Sequence, residues 1–204
     1  MVLHPKQFRS GGHNLPVSPS AAAEEAHESD EVLMERLRDG DAHAFEALFD
    51  RHAGSIHRFL CRSVDDAALA EDLTQETFLS IIRARGRYLL GRSFRSWLYA
   101  IASNAARHHL RAHRREGARL REAAASSPAA AGDEGAGVDE RAVREALALL
   151  PDAQREVIVL HTYEGMTFAE IADVLGMSGV TVRVRAHRGY CRLRELLARI
   201  EEER

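Results

Sequence analysis

The 204-residue sequence has few cysteines and no long apolar run. Its two cysteines, Cys61 and Cys191, lie in separate helical patterns, which argues against a disulfide-built secreted scaffold. No stretch approaches the roughly 18 consecutive apolar residues of a transmembrane helix, and residues 1–12 lack the apolar segment of a signal peptide. These absences predict a cytoplasmic protein with no membrane insertion.

The sequence also lacks the short motifs of common catalytic centres. It contains no G-x-S-x-G, no glycine-rich phosphate loop and no H-E-x-x-H. Two pairs have the i,i+4 spacing of helical metal ligands, His109 with His113 and His57 with Cys61. Zinc sites normally need three or four ligands, and neither pair has a third ligand or a carboxylate nearby. We therefore predict no enzyme activity, no metal site and no cofactor.

The apolar pattern divides the chain into four parts. Residues 1–29 and 116–138 are rich in small residues and have no apolar period, which predicts a disordered tail and a flexible linker. The first block (residues 30–115) and the second block (residues 139–204) show helical spacing throughout, and strand-like alternation never persists. The expected fold class is all-α, with two helical domains joined by the linker.

Residues 167–189, TFAEIADVLGMSGVTVRVRAHRG, have the pattern of a helix-turn-helix. Thr167 and Glu170 form a capping box, which predicts that a helix starts there. Gly176 suits the left-handed end of this helix, and Ser178 is a good N-cap for the next one. An ordinary corner between two helices has the same local pattern, so the charge of the second helix decides between the two interpretations.

That second helix is cationic. From Gly176 to Arg194 the sequence has five arginines and no acid, although the formal net charge of the whole chain is -3. Arg183, His187 and Arg188 lie on the side opposite Val182 in helical projection. This distribution favours a DNA-binding helix whose exposed face reaches bases and phosphates.

A second cationic stretch in the first block, from Arg83 to Arg115, has nine arginines and no acid. Aromatic residues are interleaved with the arginines: Tyr88, Phe94, Trp97 and Tyr99. Aromatic rings among arginines suit unpaired bases, on which they can stack. Phe94 and Trp97, at helical spacing, equally suit a buried core, and the sequence leaves both interpretations open for them.

The sign of the charge inverts just upstream, in DDAALAEDLTQETFL. Four of its side chains share one helical face, which we call the docking face: Asp72, Gln75, Glu76 and Leu79. A solvated acidic surface is one interpretation. An apolar residue among polar ones, beside a DNA-binding surface, also describes a protein-docking site.

Three segments of the two blocks read AEDLTQETFLSIIRA, SFRSWLYAIASNAARHHLRAHRR and LALLPDAQREVIVLHTYEGMTFAEIADVLG. In this order they resemble the extracytoplasmic-function (group IV) sigma factors of the sigma-70 family. The resemblance covers roughly residues 30–115 and 139–200, and implies a region 2 domain and a region 4 domain. It further implies an alternative sigma factor that binds RNA polymerase core, recognises minus-10 and minus-35 promoter elements, aids promoter melting and directs transcription initiation.

The resemblance also implies roles for individual residues. The docking face would bind the clamp helices of the largest polymerase subunit, and the flap is a second contact on the core. The minus-10 set that it implies is Arg87, Tyr88, Arg92, Ser93, Asn104, Arg107, His108 and Arg111. The minus-35 set is Thr181, Arg183, Val184, His187 and Arg188. Expected partners are RNA polymerase core, promoter DNA and an anti-sigma protein.

A stand-alone helix-turn-helix regulator is the alternative function. It accounts for the second block but assigns no role to DLTQETF or to RYLLGRSFRSW in the first block. Retention of polymerase core on purification favours the sigma factor, whereas tight operator binding by the protein alone favours the regulator.

Overall fold

The computed structural model describes residues 28–64, 66–121 and 138–202, and every regular element in these ranges is helical. The helices are α1 (Asp30–Arg38), α2 (Ala42–Val64), α3 (Ala67–Ala84), α4 (Phe94–Arg121), α5 (Val138–Ala148), α6 (Asp152–Thr162), α7 (Phe168–Leu175) and α8 (Gly179–Glu202), with a 3-10 turn at Arg85–Arg87. The predicted all-α fold class is confirmed. None of the described helices is long and apolar enough to cross a membrane.

The described helical structure reaches into the segments predicted as tail and linker. Ser29 caps α1 by accepting a hydrogen bond from the Val32 amide, and Glu28 pairs with Arg36 at 2.5 Å. At the other end of the first block, α4 continues to Arg121. The rest of the predicted tail and linker, residues 1–27 and 122–137, lies outside the described residues.

Helices α1 to α4 form the first block around a core of large apolar side chains. Its most deeply buried members include Met34, Leu48, Ile56, Phe59, Leu60, Ile81, Phe94 and Leu98. Two threonines on the inner side of α3 satisfy their hydroxyls locally, because Thr74 and Thr77 each donate to a backbone carbonyl four residues earlier, at 2.7 Å. α3 therefore buries polar side chains without leaving them unpaired.

Helices α5 to α8 form the second block, and the predicted helix-turn-helix is confirmed in its details. Thr167 and Glu170 exchange the two hydrogen bonds of a capping box at the start of α7. α7 ends at Gly176, whose φ of 62° and ψ of 42° are left-handed. The Ser178 hydroxyl accepts from the Thr181 amide at 3.2 Å, and Val182 on α8 is fully buried against the core.

The left-handed corner yields a prediction about stability. Gly176→Ala should lower the free energy of unfolding by about 1 kcal/mol, because an L-residue with a Cβ is strained in this region. Gly179→Ala is the matched control: Gly179 has no positive φ, and a Cβ added there would have no other atom within 4 Å, so alanine should be neutral or slightly stabilising. Urea unfolding followed by circular dichroism measures both. Equal destabilisation by the two changes would contradict the strain argument.

The two blocks pack directly against each other. α4 lies against α7, and α2 lies against α6. One continuous apolar cluster contains side chains of both blocks, such as Phe59 and Leu98 from the first and Leu160 and Ile171 from the second. This packing was not predicted from the sequence, and it determines which side chains of α4 remain exposed to solvent.

Candidate nucleic-acid interface

The exposed face of α8 carries the predicted minus-35 set. Arg183, Val184, His187 and Arg188 are exposed, and Thr181 is half-buried with its hydroxyl 2.9 Å from that of Ser178. The opposite face is buried through Val182, Ala186 and Gly189. A Cβ at Gly189 would lie 2.7 Å from Ile158 Cδ1, so glycine allows α6 to approach α8 closely. One side of the helix is thus packed against the core, and the other side presents polar side chains and the aliphatic side chain of Val184.

The segment before α4 forms an exposed loop. Leu89 and Leu90 are 66% and 53% exposed, and Arg87, Arg92 and Ser93 are also exposed. Ser93 caps α4 by accepting from the Ser96 amide at 3.2 Å. The loop therefore presents apolar and cationic side chains together, which suits a base displaced from its stack.

Tyr88, a member of the predicted minus-10 set, is only 3% exposed. Its ring packs against Trp97 with centroids 5.2 Å apart, and its hydroxyl donates to the Arg92 carbonyl. Phe94 and Tyr99 are buried as well, and Trp97 is half-buried. The core interpretation thus fits Phe94, and the buried ring of Tyr88 helps to hold the loop in place.

The outer face of α4 carries the remaining minus-10 set. Asn104, His108 and Arg111 are exposed, whereas Arg107 is half-buried. Arg107 donates to the Asn104 side-chain oxygen at 2.8 Å and lies 3.4 Å from Glu156 on α6. One predicted DNA-contacting arginine is therefore already paired with an acid of the second block.

Two ionisable groups at the contact between the blocks have shifted pKa values. Burial raises the pKa of Glu156 to about 7, more than the nearby charges of Arg107 and Arg185 lower it. Burial and the carboxylate of Glu164 raise the pKa of Tyr99, so its hydroxyl keeps its proton and donates to Glu164. The sequence did not single out Glu156, and it offered Tyr99 only as a ring for stacking bases, because the environment of both groups is created only by packing between the blocks.

The docking face lies on the exposed side of α3. Asp72, Gln75 and Glu76 are exposed, and Leu79 among them is 49% exposed. Phe49 on α2 is also partly exposed and packs edge-on against Phe78 of α3, with centroids 4.8 Å apart. Phe49 therefore contributes to an exposed apolar area beside α3, which the sequence analysis did not identify.

The side chains of the two i,i+4 pairs lie close together in the structure. The Cys61 sulfur lies 3.6 Å from Nε2 of His57, and the rings of His109 and His113 are stacked with centroids 6.4 Å apart. In the parts of the chain that the structure describes, no three His, Cys, Asp or Glu side chains are grouped in a way that could hold a metal ion.

The chain matches two family models, Sigma-70 region 2 over residues 48–116 and Sigma-70, region 4 over residues 140–193. It is 49% identical over 171 residues to the RNA polymerase sigma factor CarQ of Myxococcus xanthus, an alignment that covers 83% of this chain and 98% of CarQ. It is 32% identical to the RNA polymerase sigma-H factor of Pseudomonas aeruginosa, over 79% of this chain and 90% of that protein.

Solved structures show the same fold. CnrH in complex with the cytosolic domain of CnrY aligns with a TM-score of 0.64 and 28% identity, covering 84% of this chain and 98% of CnrH. The sigma factor RpoE in complex with the anti-sigma factor NepR from Bartonella quintana aligns with a TM-score of 0.65 and 25% identity, covering 76% and 96%. Because region 2 and region 4 occur in family order and the relatives match over most of their length, this chain belongs to the sigma-70 family, as a sigma factor of the extracytoplasmic-function group.

Proposed function

We propose that this sigma factor binds RNA polymerase core through the docking face, holds the minus-10 element as an unpaired strand on the first block, and reads the minus-35 element in duplex DNA with α8. The observation that carries this proposal is the pair of exposed cationic surfaces, one on α4 and its preceding loop and one on α8. Their different surroundings suit different forms of DNA.

The minus-35 set suits duplex DNA because it lies on one face of a helix that follows a helix-turn-helix corner. Arginine can bond a guanine edge with two hydrogen bonds, and Val184, 43% exposed, can contact a thymine methyl group. The buried opposite face holds the helix rigidly, which such contacts require.

The minus-10 set suits an unpaired strand because it combines arginines with an exposed apolar loop. Unstacking a base costs a few kcal/mol, and stacking or apolar contact with the extruded base offsets this cost. With Tyr88 buried, the exposed Leu89 and Leu90 are the apolar side chains available in the loop. The protein would thereby aid promoter melting by holding bases that have left the duplex.

The docking face suits the polymerase because it is acidic around an exposed leucine, whereas both DNA surfaces are cationic. The sign of the charge therefore distinguishes the surface that binds protein from the surfaces that bind DNA. We propose the clamp helices of the largest subunit as its partner, and the flap as the partner of the second block. The protein acts in the cytoplasm, contributes no catalytic step of its own and uses no metal or cofactor.

We further propose an anti-sigma protein as a regulatory partner. Two similar solved structures are CnrH in complex with the cytosolic domain of CnrY and the sigma factor RpoE in complex with the anti-sigma factor NepR. These similarities extend across both blocks of the present chain.

The test is transcription by reconstituted holoenzyme. Polymerase core is incubated with the full chain and genomic fragments, and the 5′ ends of the transcripts are sequenced. We expect initiation at a set of sites sharing two upstream elements, dependent on the added chain. A chain that binds duplex operator sites tightly by itself, and neither retains core nor changes its start sites, would instead be a stand-alone regulator.

Arg183 and Arg192 allow a test of sequence readout by α8. Both are exposed, but Arg183 lies near the start of the helix, where it enters the groove, and Arg192 lies further along. Arg183→Ala should cost about 1–3 kcal/mol on the cognate minus-35 element and relax preference at one base pair. Arg192→Ala should weaken binding to all promoter sequences alike and should lower the salt dependence of binding by roughly one phosphate contact. Holoenzyme binding to promoters that differ only at minus-35 measures both, and an unchanged base preference in Arg183→Ala would make this residue a phosphate contact.

A further inference from the structure

Residues 88–93, which we call the minus-10 loop, form a tight turn before α4. The Arg92 amide donates to the Leu89 carbonyl at 3.1 Å, and Gly91 between them has a φ of 81°. The Tyr88 hydroxyl donates to the Arg92 carbonyl across the turn. Burial raises the pKa of Tyr88, and the acids of α1 raise it further, so this hydroxyl keeps its proton and remains a donor. The loop is therefore closed by its own hydrogen bonds and presents its exposed leucines at the tip.

Both ends of the minus-10 loop lie against α1. The 3-10 turn that precedes the loop packs on α1. At the other end, the Glu31 carboxylate of α1 accepts a hydrogen bond from the backbone amide of Phe94 at 3.1 Å. Phe94 is the first residue of α4, and the amides of the first turn have no acceptor inside their own helix. Glu31 therefore caps a helix that begins 63 residues further along the chain, at the point where the loop ends.

The first turn of α1 is itself held in place by α2. Asp30, the residue before Glu31, accepts from Nε2 of His52 at 2.8 Å and pairs with Arg51. The His52 ring in turn lies beside the Phe94 ring, with centroids 5.5 Å apart. Two consecutive acids of α1 thus bind two different helices, and the carboxylate of Glu31 is fixed where the loop joins α4.

Glu31 and the local cap of α4 satisfy different amides. The Ser93 hydroxyl accepts from the Ser96 amide at 3.2 Å, whereas Glu31 accepts from Phe94. A carboxylate at this position is a strong acceptor, because it bears a full charge and faces the positive end of the helix dipole. Removal of Glu31 would leave the cap by Ser93 in place. It would release the junction of loop and helix from α1.

We propose that Glu31 is a positioning residue for promoter recognition, which fixes the minus-10 loop on α1 so that the loop meets an extruded base in one geometry. The inference rests on the proposed function, since it requires the minus-10 loop to hold that base. Glu31 acts through the backbone of Phe94 and not through a contact with DNA. Selection of one base needs such support, because a loop that shifts by about 1 Å fits a wrong base almost as well.

Four variants separate the hydrogen bond from the charge. Glu31→Ala removes both the acceptor and the charge. Glu31→Asp keeps the charge but withdraws the oxygen by one methylene group, and Glu31→Gln keeps an oxygen at the same reach without the charge. Glu35→Ala is the matched control, because Glu35 is an exposed acid one turn further along α1 whose charge also acts on Tyr88.

The first measurement is hydrogen exchange at the Phe94 amide, followed by nuclear magnetic resonance on the full chain without DNA. We expect roughly fivefold faster exchange in Glu31→Ala and Glu31→Asp, which corresponds to the loss of a typical helix cap. Glu31→Gln should remain close to the wild type, and Glu35→Ala should not change the exchange rate. Equal exchange in all variants would show that Glu31 does not hold this amide and would overturn the inference.

The second measurement is the base preference of reconstituted holoenzyme on promoters with single changes in the minus-10 or the minus-35 element. Glu31→Ala and Glu31→Asp should reduce discrimination at the extruded base of the minus-10 element by up to roughly fivefold, the same loss as in exchange. Preference at minus-35 and binding to core should stay at the wild-type level. Glu31→Gln should restore most of the minus-10 preference, which a role of the charge alone would not allow.

The outcomes separate this inference from the proposed function. Wild-type minus-10 preference in Glu31→Ala overturns the positioning role, as does an equal loss in Glu35→Ala or in Glu31→Gln. A loss of preference at both promoter elements also overturns it, because it indicates a general weakening of the protein. The proposed function is tested by the wild-type chain itself, and it fails if that chain shows no preference at the minus-10 element.

Discussion

Asp72→Arg combined with Glu76→Arg is expected to abolish transcription by the reconstituted holoenzyme. Both acids are exposed one turn apart on α3, within the docking face that also contains Leu79. Reversing two charges at the rim of an interface places like charges against the partner, which costs several kcal/mol of binding. Since neither side chain is buried, the helix content and melting temperature should not change.

A matched control is available on α1. Glu35→Arg with Asp39→Arg reverses two exposed acids at the same i,i+4 spacing in the first block. Binding of each variant to immobilised core, and run-off transcription at several salt concentrations, separate docking from general charge. Normal core binding by the Asp72/Glu76 variant, or an equal loss in the control, would show that α3 is not the docking helix.

Glu156→Gln is expected to raise the free energy of unfolding much more at pH 8 than at pH 5. Glu156 is only 8% exposed, and its neighbours are Arg107 and Ser103 on α4, Arg185 on α8 and Asp152 on its own helix. Burial raises its pKa from the ordinary 4.5 to about 7, so the folded chain holds this proton more tightly than the unfolded chain. The resulting stabilisation is complete below about pH 4.5 and is lost as the pH rises through 7.

The expected size of this gain in stability follows from the shift in the pKa of Glu156. Each pKa unit corresponds to ~1.4 kcal/mol, so an ionised Glu156 lowers stability by roughly 3 kcal/mol above pH 7, and glutamine avoids this cost. Urea unfolding at pH 5, 6.5 and 8 gives the difference in the free energy of unfolding between the variant and the wild type. Glu145→Gln, on the exposed surface of α5, is the control for the loss of one charge. If the difference in the free energy of unfolding stays constant with pH, burial does not govern the ionisation of the Glu156 carboxyl group.

The sequence by itself determined the helix-turn-helix. Thr167, Glu170, Gly176 and Ser178 act through hydrogen bonds and dihedral angles within a few residues, so their effect is independent of the rest of the fold. The exposed faces of α3 and α8 were predictable for the same reason. Each follows from the 3.6-residue period of a helix once its buried side is marked by residues such as Leu73 or Val182.

The role of the aromatic residues in the cationic stretch of the first block could not be determined from the helical period. Tyr88 and Leu89 are neighbours in the sequence, yet one is buried and the other exposed, because the loop before α4 leaves the helical period and follows the packing of Tyr88 on Trp97. Whether a ring among arginines contacts bases or the core depends on which neighbouring helix covers it. That information lies in residues distant along the chain.

Only the tertiary structure decided how the two blocks meet. The pairs Asp152 with Arg114 and Glu156 with Arg107 join residues separated by the predicted linker, and no local pattern relates them. The sequence showed the charges of each block but not that acids of one lie against arginines of the other. Local hydrogen bonds and helical periodicity shape the elements, whereas burial of the remaining apolar surface between the blocks determines which charges meet and what their pKa values become.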